Sequence, residues 1–288
     1  MELIEILVAV SVGLLAGGFA TMLVDRIPDR TPLGFGSRCP ACGEQLPPID
    51  TVPVVGWMLR LGRCRQCGDP ITVAYPLVEV VVAGLFVLIV HEHGLRWPAL
   101  PPAILAVALV ALAVIDLYVY RLPDRLVFPA LGISAVAMVV VAVAIDRPEG
   151  LTRALLGALV FFGLLLVTHL ISARGMGFGD VKLALLLGLH LGWTAGTTFV
   201  GWSAVIRMVF YALLIGCVIG LVMGLIVAVL RRGGRDLAPD PEAIASDDHI
   251  DGATGQPTQL LKHSFPFGPA LAASTMLVVL YPDLVVPT

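Results

Sequence analysis

Two pairs of cysteines and two isolated aspartates are the side chains whose types and spacing most clearly suggest chemistry. Cys39-Pro-Ala-Cys42 and Cys64-Arg-Gln-Cys67 are C-x-x-C pairs with 21 residues between them. A C-x-x-C turn presents two thiolates together, and two such turns supply the four ligands that tetrahedral Zn²⁺ favours. The separation is slightly beyond the usual spacing of roughly 15–20 residues. Gly43 and Gly68 follow the second cysteine of each pair, where a tight turn wants a glycine. Four protein ligands leave no open coordination position, so the expected ion is structural. Two disulfides, a redox pair or unligated thiols are the alternatives. Cys217 stands alone in an apolar run and reads as a small buried residue.

Asp116 closes the apolar run LAVALVALAVI and opens the short loop DLYVYRLPD. Asp180 closes GMGFGD and opens the apolar run VKLALLLGL. Each stands at a helix end, and charges at membrane depth are costly and often functional. Two carboxylates brought together there can share one proton, one acting as base toward water and the other as acid toward a carbonyl oxygen. The bland alternative is that each caps a helix or faces water. Gly175, Gly177 and Gly179 alternate before Asp180, and Gly177 and Gly179 would let a substrate backbone approach. Asp124 follows Pro123 and reads as an N-cap. His169 and His190 read as hydrogen-bonded packing residues, and Glu79 as an intramembrane partner for a polar group. Lys182 either reaches for the interface or tunes the charge on Asp180. Asp25 and Arg26 mark the end of the first helix.

The elements that must position these residues are set by composition. Charged residues make up 14% of the 288, against about 25% in soluble domains, and the mean hydropathy is +0.95. Lipid is therefore the expected solvent. A net charge of -3 without a basic run argues against nucleic acid as a partner. Spanning a bilayer takes roughly 20 apolar residues. That ruler marks segments 3–24, 76–91, 99–115, 126–145, 154–171, 181–196, 203–230 and 265–282. The expected fold is an all-α polytopic membrane protein of about eight transmembrane helices with a small cytoplasmic zinc-binding cysteine domain. The first run carries Glu2 and Glu5 ahead of its apolar core and reads as a retained helix rather than a cleaved signal.

The division that follows is 1–25 as the first helix, 26–75 as the cysteine domain and 76–288 as the membrane domain. An acidic, polar stretch at 231–263 reads as a flexible cytoplasmic loop. With the N-terminus outside, every one of the 18 basic residues except Arg96, Arg147, Arg153 and Arg207 falls inside, as the positive-inside rule requires. The cysteine pairs, Asp116 and Asp180 then share the cytoplasmic face, and both termini lie outside. The reducing cytosol disfavours disulfides there. Ion-coupled transport would favour acids near the midplane, which is not where these lie.

Five motifs, in order, resemble the bacterial type IV prepilin peptidase (leader peptidase/N-methyltransferase) family. They are GLLAGGF at 13–19 with Arg26-Ile27-Pro28 behind it, the cysteine segment 37–81, IDLYVYRLPD at 115–124, GFGDVKL at 177–183 and FPFGPALA at 265–272. The resemblance implies an aspartic endopeptidase of the cytoplasmic (inner) membrane, with Asp116 and Asp180 as its catalytic pair. It implies a prepilin or pseudopilin substrate, cut between its basic leader and its apolar helix. It also implies N-methylation of the new N-terminus with S-adenosylmethionine, with a peptidase lacking that second step as the alternative.

Overall fold

The structure is a computed structural model describing residues 2–28, 31–32, 38–39, 41–172, 177–199, 201–232 and 267–285. Gly175 and the expected polar loop from residue 233 onward lie outside the described residues. Among the described residues the regular structure is helical, apart from two isolated antiparallel bridges, Arg38–Gln45 and Arg63–Pro70.

The long helices fall where the apolar runs place them. They are α1 (Leu3–Arg26), α3 (Ala74–His93), α4 (Leu100–Val119), α5 (Asp124–Ala144), α6 (Glu149–Ile171), α7 (Phe178–Thr198) and α8 (Ser203–Arg232). A shorter helix, α9 (Gly268–Leu280), follows, and a single-turn helix, α2 (Val55–Leu59), lies between the cysteine pairs. The chain is thus a multi-pass membrane protein. Among the described residues, six helices are long and apolar enough to cross a bilayer by themselves, with Trp97–Val119 covering α4 and Ser203–Val227 covering most of α8.

The weaker apolarity of α7 has a structural cause. Almost every residue from Val181 to Gly196 is buried, so protein rather than lipid surrounds this helix. Its Gly188 faces Gly157 and Ala158 of α6, and its Gly192 faces Arg153 and Ala154. Small residues spaced four apart let two backbones approach closely. The same device joins α1 to α3: a Cβ on Gly13 would lie 2.6 Å from the Ala83 Cα, and one on Gly17 would lie 2.6 Å from the Glu79 Cα.

Several side chains land where their types suggest. His190 is buried, with Nε2 3.0 Å from the Ser134 hydroxyl. Glu79 accepts the Val54 amide at 2.6 Å. Arg26 is the last residue of α1, and Asp25 beside it accepts the Tyr75 hydroxyl at 3.0 Å. Two readings are corrected. Cys217 is exposed on α8 rather than buried, since the outer face of a membrane helix meets apolar lipid and has no need of polar residues. Asp124 is not the N-cap of α5: Pro123 occupies that position, and Asp124 is the first helical residue, its carboxylate drawn to Lys182.

Candidate active site and metal centre

Each cysteine pair closes a knuckle by the same backbone hydrogen bonds. The Cys39 amide donates to the Glu44 carbonyl at 3.0 Å and the Gly43 amide to the Cys39 carbonyl at 2.8 Å. In the second knuckle, Cys64 donates to Asp69 at 2.9 Å and Gly68 to Cys64 at 3.1 Å. Gly43 and Gly68 have φ of +72° and +76°, a conformation that a Cβ would disfavour.

The two knuckles face each other. Cys39 Sγ lies 3.8 Å from Cys67 Sγ, and Cys42 Sγ lies 4.0 Å from Cys64 Sγ. All four sulfurs lie within 4.8 Å of one another. A regular tetrahedron with metal–sulfur bonds of about 2.3 Å needs sulfurs about 3.8 Å apart, so the cage fits a metal ion. The amides of Cys67 and Gln66 donate to the Cys64 sulfur and lower its pKa to about 6. The Asp69 amide favours the Cys67 thiolate likewise, but desolvation and the neighbouring thiols outweigh it and push Cys67 up to about 12. Four thiolates in one cage repel one another, and a central divalent cation removes that conflict.

The two aspartates meet at one end of the helix bundle. Asp116 lies in the last turn of α4 and is buried. Just beyond it α4 stops: Tyr120 adopts a left-handed conformation at φ +53°, and its amide returns to the Asp116 carbonyl at 3.0 Å. Asp180 lies in the first turn of α7, where its amide donates to the Gly177 carbonyl at 3.2 Å. The Asp116 carboxylate is close enough for its charge to act on that of Asp180.

Gly177 and Gly179 flank this pair differently. A Cβ on Gly177 would meet the Asp180 Oδ2 at 3.6 Å. A Cβ on Gly179 would meet the Leu122 Cβ at 3.2 Å, so Gly179 gives its open side to the loop after Asp116.

Two features of the site were not singled out from the sequence. The first is Gly268, at the start of α9, whose amide donates to the Asp116 carboxylate. A Cβ there would stand 2.6 Å from the Asp116 Oδ2 and 3.6 Å from Leu122. The available signal was the glycine of FPFGP at the head of an apolar run, but nothing local says which side chain its amide meets. The second is an ion pair between α7 and α5. Lys182 Nζ donates to both Asp124 oxygens at 2.7 Å and lies 5.2 Å from the centre of the Phe178 ring. That ring in turn packs 5.5 Å from His169 of α6.

Known proteins match along most of this chain. A family model described as the bacterial peptidase A24 N-terminal domain matches residues 11–93, and one described as the type IV leader peptidase family matches residues 103–225. A prepilin leader peptidase/N-methyltransferase of Myxococcus xanthus is 31% identical over 77% of this chain and 64% of its own length. The chain thus spans slightly less than two thirds of that relative. Proteins of the same name from Klebsiella pneumoniae and Pseudomonas aeruginosa are 33% and 26% identical. The former match covers 64% of this chain and 83% of the relative, the latter 98% and 92%. No solved structure matches.

Proposed function

The chain belongs to the type IV leader peptidase family, and from that premise we propose that it is the endopeptidase that removes the leader of prepilins or pseudopilins. The observation that carries this reading is the convergence of Asp116 and Asp180 from the ends of two different helices, close enough for the Asp116 charge to act on Asp180. Two adjacent carboxylates cannot both ionise easily, so the pair holds one proton. The ionised member takes a proton from the attacking water, and the protonated member donates to the scissile carbonyl oxygen. The Gly268 amide steadies the Asp116 carboxylate. Gly179 lets the loop after Asp116 pack close to Asp180.

The substrate in this reading carries a basic leader and an apolar helix. Both aspartates lie at a membrane-helix end, which suits a cut at the junction of those two parts. The cysteine cage would hold Zn²⁺, which with four thiolate ligands supplies structure and no reactive position. The second activity is N-methylation of the new N-terminus, with S-adenosylmethionine as methyl donor; its support is the name shared by the relatives. In this arrangement the protein lies in the inner membrane, with the cage and both aspartates toward the cytoplasm and both termini outside.

The test is to incubate purified protein in lipid with a candidate prepilin, with and without S-adenosylmethionine, and to weigh the product. Loss of the leader mass is expected in both reactions, with a further gain of one methyl group only when the donor is present. An uncut substrate, with wild-type protein shown to be folded, would overturn the peptidase reading. Elemental analysis of the same preparation should find one zinc per chain, lost in Cys39→Ser.

A further inference from the structure

The segment between the two cysteine knuckles does not stay with them at the polar face. Residues 51–59, TVPVVGWML, carry no ionisable side chain, although the rest of the cysteine segment is rich in arginine. Pro53 packs on α1, its Cγ 3.3 Å from where a Cβ on Gly18 would stand. The Val54 amide donates to Glu79 of α3 at 2.6 Å.

These contacts set the depth of the segment. Gly18 stands eight residues before Arg26, the end of α1, which is about 12 Å along the axis at 1.5 Å per residue. Glu79 stands five residues into α3, about 7.5 Å from its start. With 20 residues, α3 is about as long as the hydrocarbon core is thick, roughly 30 Å. The turn at Pro53–Val54 therefore lies below the level at which the helices leave the hydrocarbon.

The backbone there is held against its preference. Val54 has a positive φ of +61°, rare for a β-branched residue, and the short hydrogen bond to Glu79 holds it there. At the base of the segment, Arg60 Nε donates to Asp50 Oδ1 at 2.8 Å, so its two flanking charges neutralise each other. Meanwhile Val55, Met58, Leu59 and Leu61 are 48%, 62%, 63% and 84% exposed. The second half of the segment is held beside the start of α3, where Trp57 Nε1 donates to the Ile71 carbonyl at 3.0 Å, and apolar side chains this exposed at that level suit lipid better than water.

We propose that residues 52–61 form an interfacial membrane anchor, with Val55, Met58, Leu59 and Leu61 among the acyl chains of the leaflet that borders the cysteine cage. The anchor docks the cage against α1 and α3 and holds it at a fixed height above the helix ends.

A spin label on a ketone-bearing amino acid placed at position 58 or 61 leaves the native cysteines untouched. In the full chain reconstituted in phospholipid nanodiscs, the label should be accessible to oxygen and shielded from a water-soluble nickel complex. The same label on lipid-facing Leu221 and on exposed Arg65 provides the two reference states. Nickel access like that at position 65 would overturn the proposal. So would protection from both reagents, which would mean that protein covers the segment. The unmodified chain gives a second reading that needs no variant: a phospholipid with a photoactivated carbene in its acyl chain should leave adducts within residues 52–61. Their absence, with adducts present on α8, would equally overturn the anchor.

Discussion

Asp116 and Asp124 flank one short connection, the former in the last turn of α4 and the latter at the start of α5, yet their surroundings differ in kind. Asp116 is buried against the amide of Gly268, whereas the Asp124 side chain is 53% exposed and paired with Lys182. Asparagine at 116 or 180 nearly preserves shape but cannot exchange the proton that the proposed dyad shares. Asp116→Asn and Asp180→Asn should each lower leader removal at least ~100-fold, the scale of general acid–base catalysis. The double variant should be no worse than either single one, because the two act as a unit. Cleavage of a prepilin in membranes with matched expression checks this, and near-normal cleavage by either single variant would sink the assignment. An exposed ion pair is worth about 0–1 kcal/mol, so Asp124→Asn should cost less than about fivefold in rate. A dead Asp124→Asn would mean that the first aspartate has been misplaced. At this scale the two candidate aspartates were legible as residues, because carboxylates at the ends of apolar runs stand out. Gly268 was not, because its role is a long-range encounter between the start of α9 and the end of α4.

Helix identity was legible from apolar length alone, down to the separation of α7, which ends at Thr198, from α8, which begins at Ser203. What each helix faces was not legible. An apolar side chain is equally content against lipid or protein, and so the central place of α7 did not show. The clue was its glycines, whose bare faces meet α6. Two glycines of α6 separate close packing from mere composition. A Cβ on Gly157 would run into the Gly188 carbonyl and Gly192, whereas one on Gly163 meets nothing within 4 Å. Gly157→Leu should therefore push α6 off α7, costing about 1–3 kcal/mol or more as overpacking does, while Gly163→Leu should be tolerated. Thermal aggregation in detergent distinguishes them: an earlier transition is expected for the first variant only. Equal behaviour would mean that the two helices do not meet on this stripe. The cysteine knuckles were legible for the opposite reason, since each is closed by hydrogen bonds among about six consecutive residues. The turn at Pro53–Val54 was hidden, because its partners lie on α1 and α3.

For the molecule as a whole, orientation is decided by charge. Four basic residues fall on the outer side in the proposed topology, and two of them have structural work there. Arg153 donates to the carbonyls of Ala195 and Phe199 at 3.4 and 2.7 Å and lies 5.7 Å from the centre of the Trp202 ring. Arg147 donates to the Thr197 carbonyl at 3.2 Å. Both satisfy carbonyls at or just past the end of α7, where basic side chains are favoured by the orphaned acceptors and the helix dipole. Held in that way, they are weak exceptions to the rule that loops rich in Lys and Arg stay inside. The knuckles, the ends of α1 and α4 and the starts of α3 and α7 then share the basic side. Alkaline phosphatase fused after residue 95 or 150 should be active, and fused after residue 60 or 245 inactive. Activity at 60 or 245 would reverse the molecule. Reversal would also place four thiols in an oxidising compartment, where disulfides would replace the metal cage, so thiol alkylation and zinc content must change together with the reporter pattern. A reporter that reverses while zinc stays bound would separate orientation from metal binding and leave the charge argument as the one at fault.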